Sequence, residues 1–215
     1  MKYKPFNLFL FIIIIGLIFC SAQINPAGPD LDNFIKDSLS VEDLAKWEAY
    51  GLGKAFNAGN GQYCLMEDDS TLGLVLISPR AYKGDVIVRY KTMALTSSTV
   101  LVFMHSVSDP GAGETLTIPE DYNGNMDLWI HGRENYFCAF KNAPHNYTPF
   151  IRKYPEPANN ALVSANENFM MPGKYYAVEI GRMSNKLWLS VDGNKILETT
   201  DHETYTGGYL IFRIR

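Results

Sequence analysis

The chain has 215 residues, of which 47% are hydrophobic, 13% aromatic and 20% charged. This composition is typical of one folded domain and excludes a disordered or collagen-like chain. Lysine and arginine number 19 against 23 aspartate and glutamate residues, giving a net charge of −4. There is no basic surplus to neutralise a phosphate backbone, so we expect no nucleic-acid partner.

The first 22 residues have the pattern of a secretory signal peptide. Lys2 and Lys4 precede an unbroken apolar run over residues 8–19, and the small residues Ser21 and Ala22 follow it. The run has about 12 residues, fewer than the roughly 20 that span a bilayer. Cleavage after Ala22 would leave about 193 residues with a net charge of about −6, secreted or periplasmic and without a stable membrane span.

The three cysteines bear on the location of the chain and on its redox state. Lipid attachment at Cys20 and a retained membrane anchor are the alternatives to simple cleavage, but Phe19 stands where lipoprotein signals carry a small residue. Cys64 and Cys138 remain in a compartment that permits a disulfide. Both lie in apolar, strand-like runs, so a bridge and two buried free thiols both stay open.

Residues 23–50 predict an irregular lead-in that ends with one short helix. Prolines and a glycine in the first part of this segment disfavour regular structure. Ser40 can cap a helix, because two acidic residues lie in the turn that follows and Leu44 and Trp47 are spaced three apart. We expect the folded domain to cover residues 51–215.

Beyond the lead-in the sequence predicts strands. Runs of β-branched and aromatic residues are separated by turn sequences such as Asp192-Gly193-Asn194, in which glycine or asparagine accepts a positive φ. No second helical period and no alternation of strand with helix is found, which favours a two-sheet antiparallel sandwich. Nine runs qualify as strands: Leu72–Ile77, Asp85–Met93, Thr99–His105, Met126–His131, Tyr136–Lys141, Tyr175–Arg182, Lys186–Val191, Lys195–Thr199 and Tyr209–Ile214.

The C-terminal third has the clearest local pattern. In a strand over residues 186–191, Leu187 and Leu189 point to one side and Trp188 to the other, so one face packs a core and the other faces solvent or a ligand. The segment LWLSVDGNKILE resembles the corresponding meander of concanavalin A-like (laminin G-like) jelly rolls. The expected fold class is therefore an all-β, two-sheet antiparallel jelly-roll sandwich.

Five stretches, in order, cover most of residues 60–215: LGLVLISPRAYKGDVIVRYKTMAL, STVLVFMHS, GNMDLWIHGRENYF, IRKYPEPANNALVSA and the C-terminal meander. Together they resemble the YesU-like family of bacterial concanavalin A-like proteins, found among carbohydrate-utilisation genes. The resemblance implies a jelly-roll fold and a sugar context. The residues that match the family pattern are Gly124, Asp127, His131, Tyr136, Phe137, Arg152 and Lys153.

Glycoside hydrolysis normally uses two carboxylates that flank the scissile bond. The Glu-x-Asp-x-x-Glu arrangement of laminarinase-like jelly rolls does not occur in the sequence. The nearest acidic cluster, Glu67, Asp68 and Asp69, precedes a predicted turn and is typical of a solvated loop. A hydrolase with carboxylates brought together from distant strands stays open as an alternative.

The region from Asp127 to Lys153 is richer in residues suited to β-elimination on a uronic-acid sugar. That reaction needs a donor for the carboxylate, a base for the C5 proton and an acid for the departing oxygen. We predict His131 and Tyr136 as catalytic residues. In the predicted strand over 126–131, alternation would place Trp129, His131 and Arg133 on one face. The expected substrate-binding residues are His105, Trp129, Arg133, His145, Arg152 and Lys153.

The leading functional hypothesis is therefore a secreted, carbohydrate-active lyase or dehydratase that processes an acidic polysaccharide or oligosaccharide. The alternative from another class is a non-catalytic carbohydrate-binding module. In that case Trp129, Tyr136 and Trp188 would stack on sugar rings, and the polar residues would only form hydrogen bonds.

No cofactor is expected, because the four histidines lack the short spacings of zinc sites and no two cysteines lie close in sequence. A structural calcium ion is the alternative. Asp192 with Asn194, or Asp30 with Asp32, could contribute oxygen ligands. Ordinary turn chemistry explains the same residues without a metal ion.

Overall fold

The computed structural model describes residues 37–69, 71–142, 148–155 and 161–215. The predicted signal peptide, Cys20 and most of the lead-in lie outside these residues. Leu39–Arg215 forms a compact unit. None of the helices in the described part of the chain is long and apolar enough to cross a bilayer.

The described residues form two short helices and fourteen strands. Their bounds, in chain order, are α1 (Val41–Leu44), β1 (Glu48–Gly51), β2 (Gly53–Gly59), β3 (Gln62–Glu67), β4 (Leu74–Ile77), β5 (Tyr82–Lys83), β6 (Val86–Thr92), β7 (Leu101–Ser108), α2 (Asp127–His131), β8 (Glu134–Lys141), β9 (Phe150–Tyr154), β10 (Val163–Ser164), β11 (Tyr176–Met183), β12 (Lys186–Val191), β13 (Asn194–Thr200) and β14 (Gly207–Ile214). The predicted helix is α1, and Ser40 caps it, accepting a hydrogen bond from the Asp43 amide at 3.2 Å.

Two antiparallel sheets form a sandwich, which confirms the predicted all-β fold class. The large sheet has the order β1-β4-β14-β7-β8-β9-β10, with β5 also paired to β14. The small sheet has the order β13-β12-β11-β6, and β2 and β3 form a separate hairpin. Eight of the nine predicted strands are present, and six further strands, β1, β2, β3, β5, β9 and β10, were not among the nine predicted runs.

The main core lies between the two sheets. Leu187, Leu189 and Ile180 of the small sheet face Phe103 and Cys138 of the large sheet, and each is at most 1% exposed. The inward direction of Leu187 and Leu189 is the one that strand alternation predicts. Both Cys64 and Cys138 are free thiols, and burial raises the pKa of Cys138 well above its ordinary value.

A second core covers the outer face of the large sheet. Met104 and Phe137 point to this side and pack with Trp129 of the segment that joins β7 to β8. The buried Arg213 fixes the neighbouring loops, because its Nη2 donates to the Leu72 carbonyl at 2.8 Å and the Gly124 carbonyl at 3.2 Å. The large sheet is therefore covered on both faces.

Residues 126–131 form the helix α2 and not a strand, so that prediction was wrong. The Asn125 side chain accepts a hydrogen bond from the Asp127 amide at 3.1 Å, which turns the chain at the start of the helix. Trp129 alone is fully buried, with Leu128 and Ile130 partly buried beside it. Consequently Trp129, His131 and Arg133 do not share one face of a strand.

A β-bulge interrupts β7 where it approaches β14. The pairing of β7 with β8 shifts between His105 and Ser108, and the pairing of β14 with β7 shifts between Tyr209 and Ile211. Ser106 has a φ of 54°, a left-handed conformation that is uncommon for serine. Gly208 lies against it with a φ of 146°. A Cβ at Gly208 would lie 2.4 Å from the Ser106 carbonyl carbon, so only glycine fits there.

Replacing Gly208 by alanine is expected to lower the free energy of unfolding by at least about 3 kcal/mol, because the added methyl group meets backbone atoms that cannot move aside. Gly193→Ala is the matched control, since Gly193 also has a positive φ, 80°, but no heavy atom lies within 4 Å of the added Cβ. It should cost about 1 kcal/mol. Urea denaturation measures both, and equal losses would contradict the close approach at Gly208.

Candidate functional site

Polar side chains collect at one end of the space between the sheets. His105 on β7, Tyr136 on β8 and Lys153 on β9 are direct neighbours across the inner face of the large sheet. Arg182 reaches the same place from β11 of the small sheet. We call the following six residues the polar cluster: His105, Tyr136, Lys153, Arg182, Asp201 and Tyr205.

Asp201 lies at the centre of the polar cluster. The Tyr136 hydroxyl donates to Asp201 Oδ2 at 2.5 Å, and Lys153 Nζ lies 2.9 Å from the same oxygen. Burial opposes ionisation of Asp201, but hydrogen bonds from Tyr136 and Lys153 outweigh it and hold the pKa of the carboxyl below its ordinary value. Burial, reinforced by the hydrogen bond to Asp201, raises the pKa of Tyr136 well above its ordinary value. Tyr136 is therefore a neutral donor.

Arg182 joins the small sheet to the turn before β6. Its Nη2 donates to the Gly84 carbonyl, and its Nη1 lies 3.7 Å from Asp85 Oδ1. The Arg182 side chain is only 4% exposed, so these partners compensate for the removal of its charge from water. Its Nε has no hydrogen-bond partner in the part of the chain that the structure describes.

His105 lies beside Tyr136, with 5.1 Å between the ring centroids. Burial, together with the nearby charge of Arg182, lowers the pKa of His105 to about 3. Its Nδ1 lies 3.2 Å from Ser106 Oγ, whereas Nε2 finds no partner among the described residues. His105 is therefore a neutral imidazole at physiological pH.

A cleft of about 530 Å³ opens next to the polar cluster, and we call it the end cleft. Tyr205 of the polar cluster lines the end cleft, and so does Gly84, whose carbonyl accepts a hydrogen bond from Arg182. The polar cluster therefore adjoins one wall of the cleft. Its lining consists of Lys83, Gly84, Gly111, Ala112, Gly113, Glu114, Glu134, Thr204, Tyr205, Thr206 and Gly207.

Tyr205 is held in the cleft wall by three contacts. Its amide donates to the Tyr136 hydroxyl at 3.2 Å, and its own hydroxyl donates to the Tyr154 carbonyl at 2.8 Å. Lys153 Nζ lies 4.7 Å from the centroid of its ring. The ring, which is partly exposed, thus has a fixed position before any ligand arrives.

Three of the predicted site residues meet in the polar cluster: His105, Tyr136 and Lys153. The predicted catalytic pair is not brought together. His131 is exposed at the end of α2, which packs on the outer face of the large sheet, whereas Tyr136 points to the inner face. His145 lies outside the described residues.

The predicted arginines have structural partners. Arg133 Nε lies 3.0 Å from Asp109 Oδ1, and Asp109 also accepts from the Thr117 amide at 3.1 Å, which ties down the loop beside the end cleft. Arg152 stacks on Phe150 of the outer face, with 4.7 Å between its Cζ and the ring centroid. Neither arginine belongs to the polar cluster.

Neither of the tryptophans proposed as sugar platforms is available for stacking. Trp129 has no exposed surface, and its Nε1 donates to the Tyr122 hydroxyl at 2.6 Å. Trp188 is 7% exposed, lies over Gly181 and donates to Glu179 Oε1 at 2.6 Å. Tyr205 is the aromatic residue that lines the end cleft.

Sequence reasoning missed Arg182, Asp201, Tyr205 and Glu134. One signal was present for Arg182. In β11 it continues the inward series of Val178 and Ile180, and a charged residue at an inward position indicates a buried polar site. Asp201, Tyr205 and Glu134 occur in loop-like or strand-start sequence, where nothing local indicates what they contact.

Within the described residues, no three or more His, Cys, Asp or Glu side chains are grouped so that they could hold a metal ion. Asp192, named for the calcium alternative, accepts a hydrogen bond from the Ala177 amide at 2.9 Å through its side chain, a turn role. Asp30 and Asp32 lie outside the described residues.

No family model matches the sequence. No curated protein matches it either. Solved structures do match, and one is a Bacillus subtilis protein of unknown function with a galectin-like fold, at 17% identity and a TM-score of 0.69, covering 80% of this chain and 84% of that chain. This chain has a galectin-like jelly-roll fold. Membership in the YesU-like family stays a prediction.

Two further similar structures have names that refer to carbohydrate. The carbohydrate-binding module CBM66 from Bacillus subtilis is 12% identical with a TM-score of 0.52, covering 78% of this chain and 86% of that chain. The carbohydrate recognition domain of Emp46p is 8% identical with a TM-score of 0.55, covering 86% of this chain and 87% of that chain. At these identities the likeness concerns the fold.

Tyr136→Phe is expected to lower the free energy of unfolding by about 1–3 kcal/mol, because it leaves the buried Asp201 carboxylate without its shortest hydrogen bond. Tyr90→Phe is the matched control. The Tyr90 hydroxyl is buried without a partner among the described residues, so its removal should be neutral or stabilising. Denaturant unfolding of the two variants checks the prediction, and a larger loss for Tyr90→Phe would contradict it.

The free energy of unfolding is expected to fall as the pH decreases from 6.5 towards 3. In this window His105 binds a proton in the unfolded chain but not in the folded one, so lowering the pH stabilises the unfolded state relative to the folded state. The loss attributable to His105 approaches about 1.4 kcal/mol per pH unit. His105→Gln should flatten the slope between about pH 5 and 6.5, and His202→Gln, at an exposed position, should not. Equal slopes in all three proteins would count against a buried neutral His105.

Proposed function

We propose that this protein binds a carbohydrate in the end cleft. The observation that carries the proposal is the composition of the cleft. Its volume of about 530 Å³ falls in the range of small-ligand sites, and glycine backbone, two threonines, two carboxylates and the Tyr205 ring line it. Backbone amides, hydroxyls and carboxylates pair with sugar hydroxyls, and an aromatic ring stacks on the apolar face of a sugar.

The rigidity of the cleft wall supports binding. Tyr205 is fixed through both its amide and its hydroxyl, and the Asp109 contacts fix the loop that contributes Gly111 and Glu114 to the lining. A wall that is ordered before binding loses little conformational entropy when a ligand arrives. The fold shared with a carbohydrate-binding module and a carbohydrate recognition domain also supports the proposal. From the signal-peptide pattern, we propose that the protein acts after export, in the periplasm or outside the cell.

Binding to a panel of soluble oligosaccharides, measured by titration calorimetry, tests the proposal. Tyr205→Ala should weaken binding by about tenfold or more, because stacking is lost. Ala112→Trp changes an exposed residue that lines the cleft, so the fold should be retained. The indole ring should fill the cleft and abolish binding. Tyr175→Ala removes an equally large side chain that is 47% exposed and does not line the cleft, so its affinity should equal that of the unmodified protein. Unchanged affinity in both cleft variants would contradict the assignment of the end cleft as the carbohydrate-binding site.

Elimination on a uronic-acid sugar is a second candidate function, favoured by one observation. The hydroxyl of Tyr136, the imidazole of His105 and the cations of Lys153 and Arg182 converge in the polar cluster, and this set can serve as acid, base and carboxylate partner. Tyr136 has no exposed surface, so the segment after β13 would have to move before a substrate reached it.

Incubation with uronate-containing glycans separates the two functions. Elimination produces the ultraviolet absorbance of a conjugated uronate, and Tyr136→Phe should abolish that signal. Binding without this absorbance, and without new reducing ends that hydrolysis would create, would leave carbohydrate binding as the function.

A further inference from the structure

The side chains of the end cleft leave it with a negative charge. Lys83 forms an ion pair with Glu114, so these two charges offset one another. Glu134, at the start of β8, is the remaining charged side chain in the lining. Among the described residues, the lining of the cleft therefore has one more acidic than basic side chain.

The cations nearest to the cleft are already paired with anions. Arg133 lies 3.0 Å from Asp109, and Lys153 lies 2.9 Å from Asp201. Arg182 donates to the Gly84 carbonyl and lies 3.7 Å from Asp85 Oδ1. A carboxylate that entered the cleft would therefore meet Glu134 without a compensating cation. Two like charges that come close together near a protein surface repel one another, because the surface screens them less than bulk water does.

Glu134 itself has hydrogen-bonding capacity to spare. It is partly buried, and its hydrogen bond within the described residues comes from Ser108 Oγ at 3.5 Å, longer than an ordinary hydroxyl–oxygen hydrogen bond. An ionised carboxylate has about four acceptor sites. Glu134 can therefore accept further hydrogen bonds, and a ligand in the cleft that it lines can supply the donors.

We infer that the ligand of the end cleft is an uncharged sugar, whose hydroxyl groups donate to Glu134, and that the cleft discriminates against uronates. The inference rests on the proposed function and names the class of ligand. Hydroxyl groups of a neutral sugar can donate to the acceptor sites that Glu134 has open. A uronate would instead place a second negative charge beside Glu134. Glu134 therefore accepts hydrogen bonds from neutral sugars and repels the carboxylate of uronates.

Glu134→Gln tests the inference through the sign of its effect. Affinities are measured for neutral probes (cello-, laminari-, xylo- and manno-oligosaccharides) and for uronate probes (oligogalacturonate and oligoalginate). For a neutral probe, the variant should bind about tenfold more weakly, because hydrogen bonds to a charged acceptor are stronger than those to an amide. For a uronate probe, the variant should bind more tightly, because the repulsion is gone. Glu120→Gln makes the same chemical change at an exposed position outside the cleft and should alter neither.

Salt gives an independent readout. Affinity for a neutral probe should not change between low and high ionic strength, whereas residual uronate binding should increase as salt screens Glu134. Tighter binding of uronates than of neutral sugars by the unmodified protein, or weaker uronate binding by Glu134→Gln, would overturn the inference while the proposed function stood. Failure of every probe in both sets to bind would overturn the proposed function and the inference with it.

Discussion

The hydrogen bond from Tyr136 to Asp201 connects the large sheet to the segment between β13 and β14, and the end of the sandwich depends on it. Its length of 2.5 Å and the adjacent Lys153 ammonium allow a carboxylate to remain ionised where little water reaches it. The same hydroxyl accepts from the Tyr205 amide. One buried tyrosine thus stabilises a charge, closes the space between the sheets and sets the position of the aromatic ring in the end cleft.

The two-sided burial of the large sheet decides which residues can meet. Along β8, Tyr136 and Cys138 face the small sheet, whereas Phe137 and Ala139 face α2 and its loops. Residues one position apart therefore belong to different cores. This alternation places residues that are close in sequence on opposite faces of the sheet. The residues that lie beside Tyr136 come from neighbouring strands in register with it or from across the sandwich.

Sequence reasoning predicted most of the fold because strands with one buried face carry their own signal. Leu187 and Leu189 alternate as an inward face must, and Ser40 begins a helix by capping chemistry that is local. The segment over 126–131 has the composition of a strand, but it forms a helix. The Asn125 side chain turns the chain at the start of the helix and Trp129 packs against Tyr122, and both Asn125 and Tyr122 lie outside that run. Asp201 and Tyr136 are 65 residues apart in the sequence, so no local sequence pattern could have predicted their hydrogen bond.

The burial of the polar cluster also bears on what the protein can do. A proton-transfer catalyst works best when its pKa lies near the working pH. Burial moves His105 and Tyr136 in opposite directions, the imidazole to a pKa of about 3 and the phenol well above its ordinary range, so both stay neutral over the physiological range. Fixed, neutral groups behind a rigid wall are well suited to holding a binding surface in place. Catalysis by the same groups would first require water and substrate to enter, which would undo the burial that sets their pKa values.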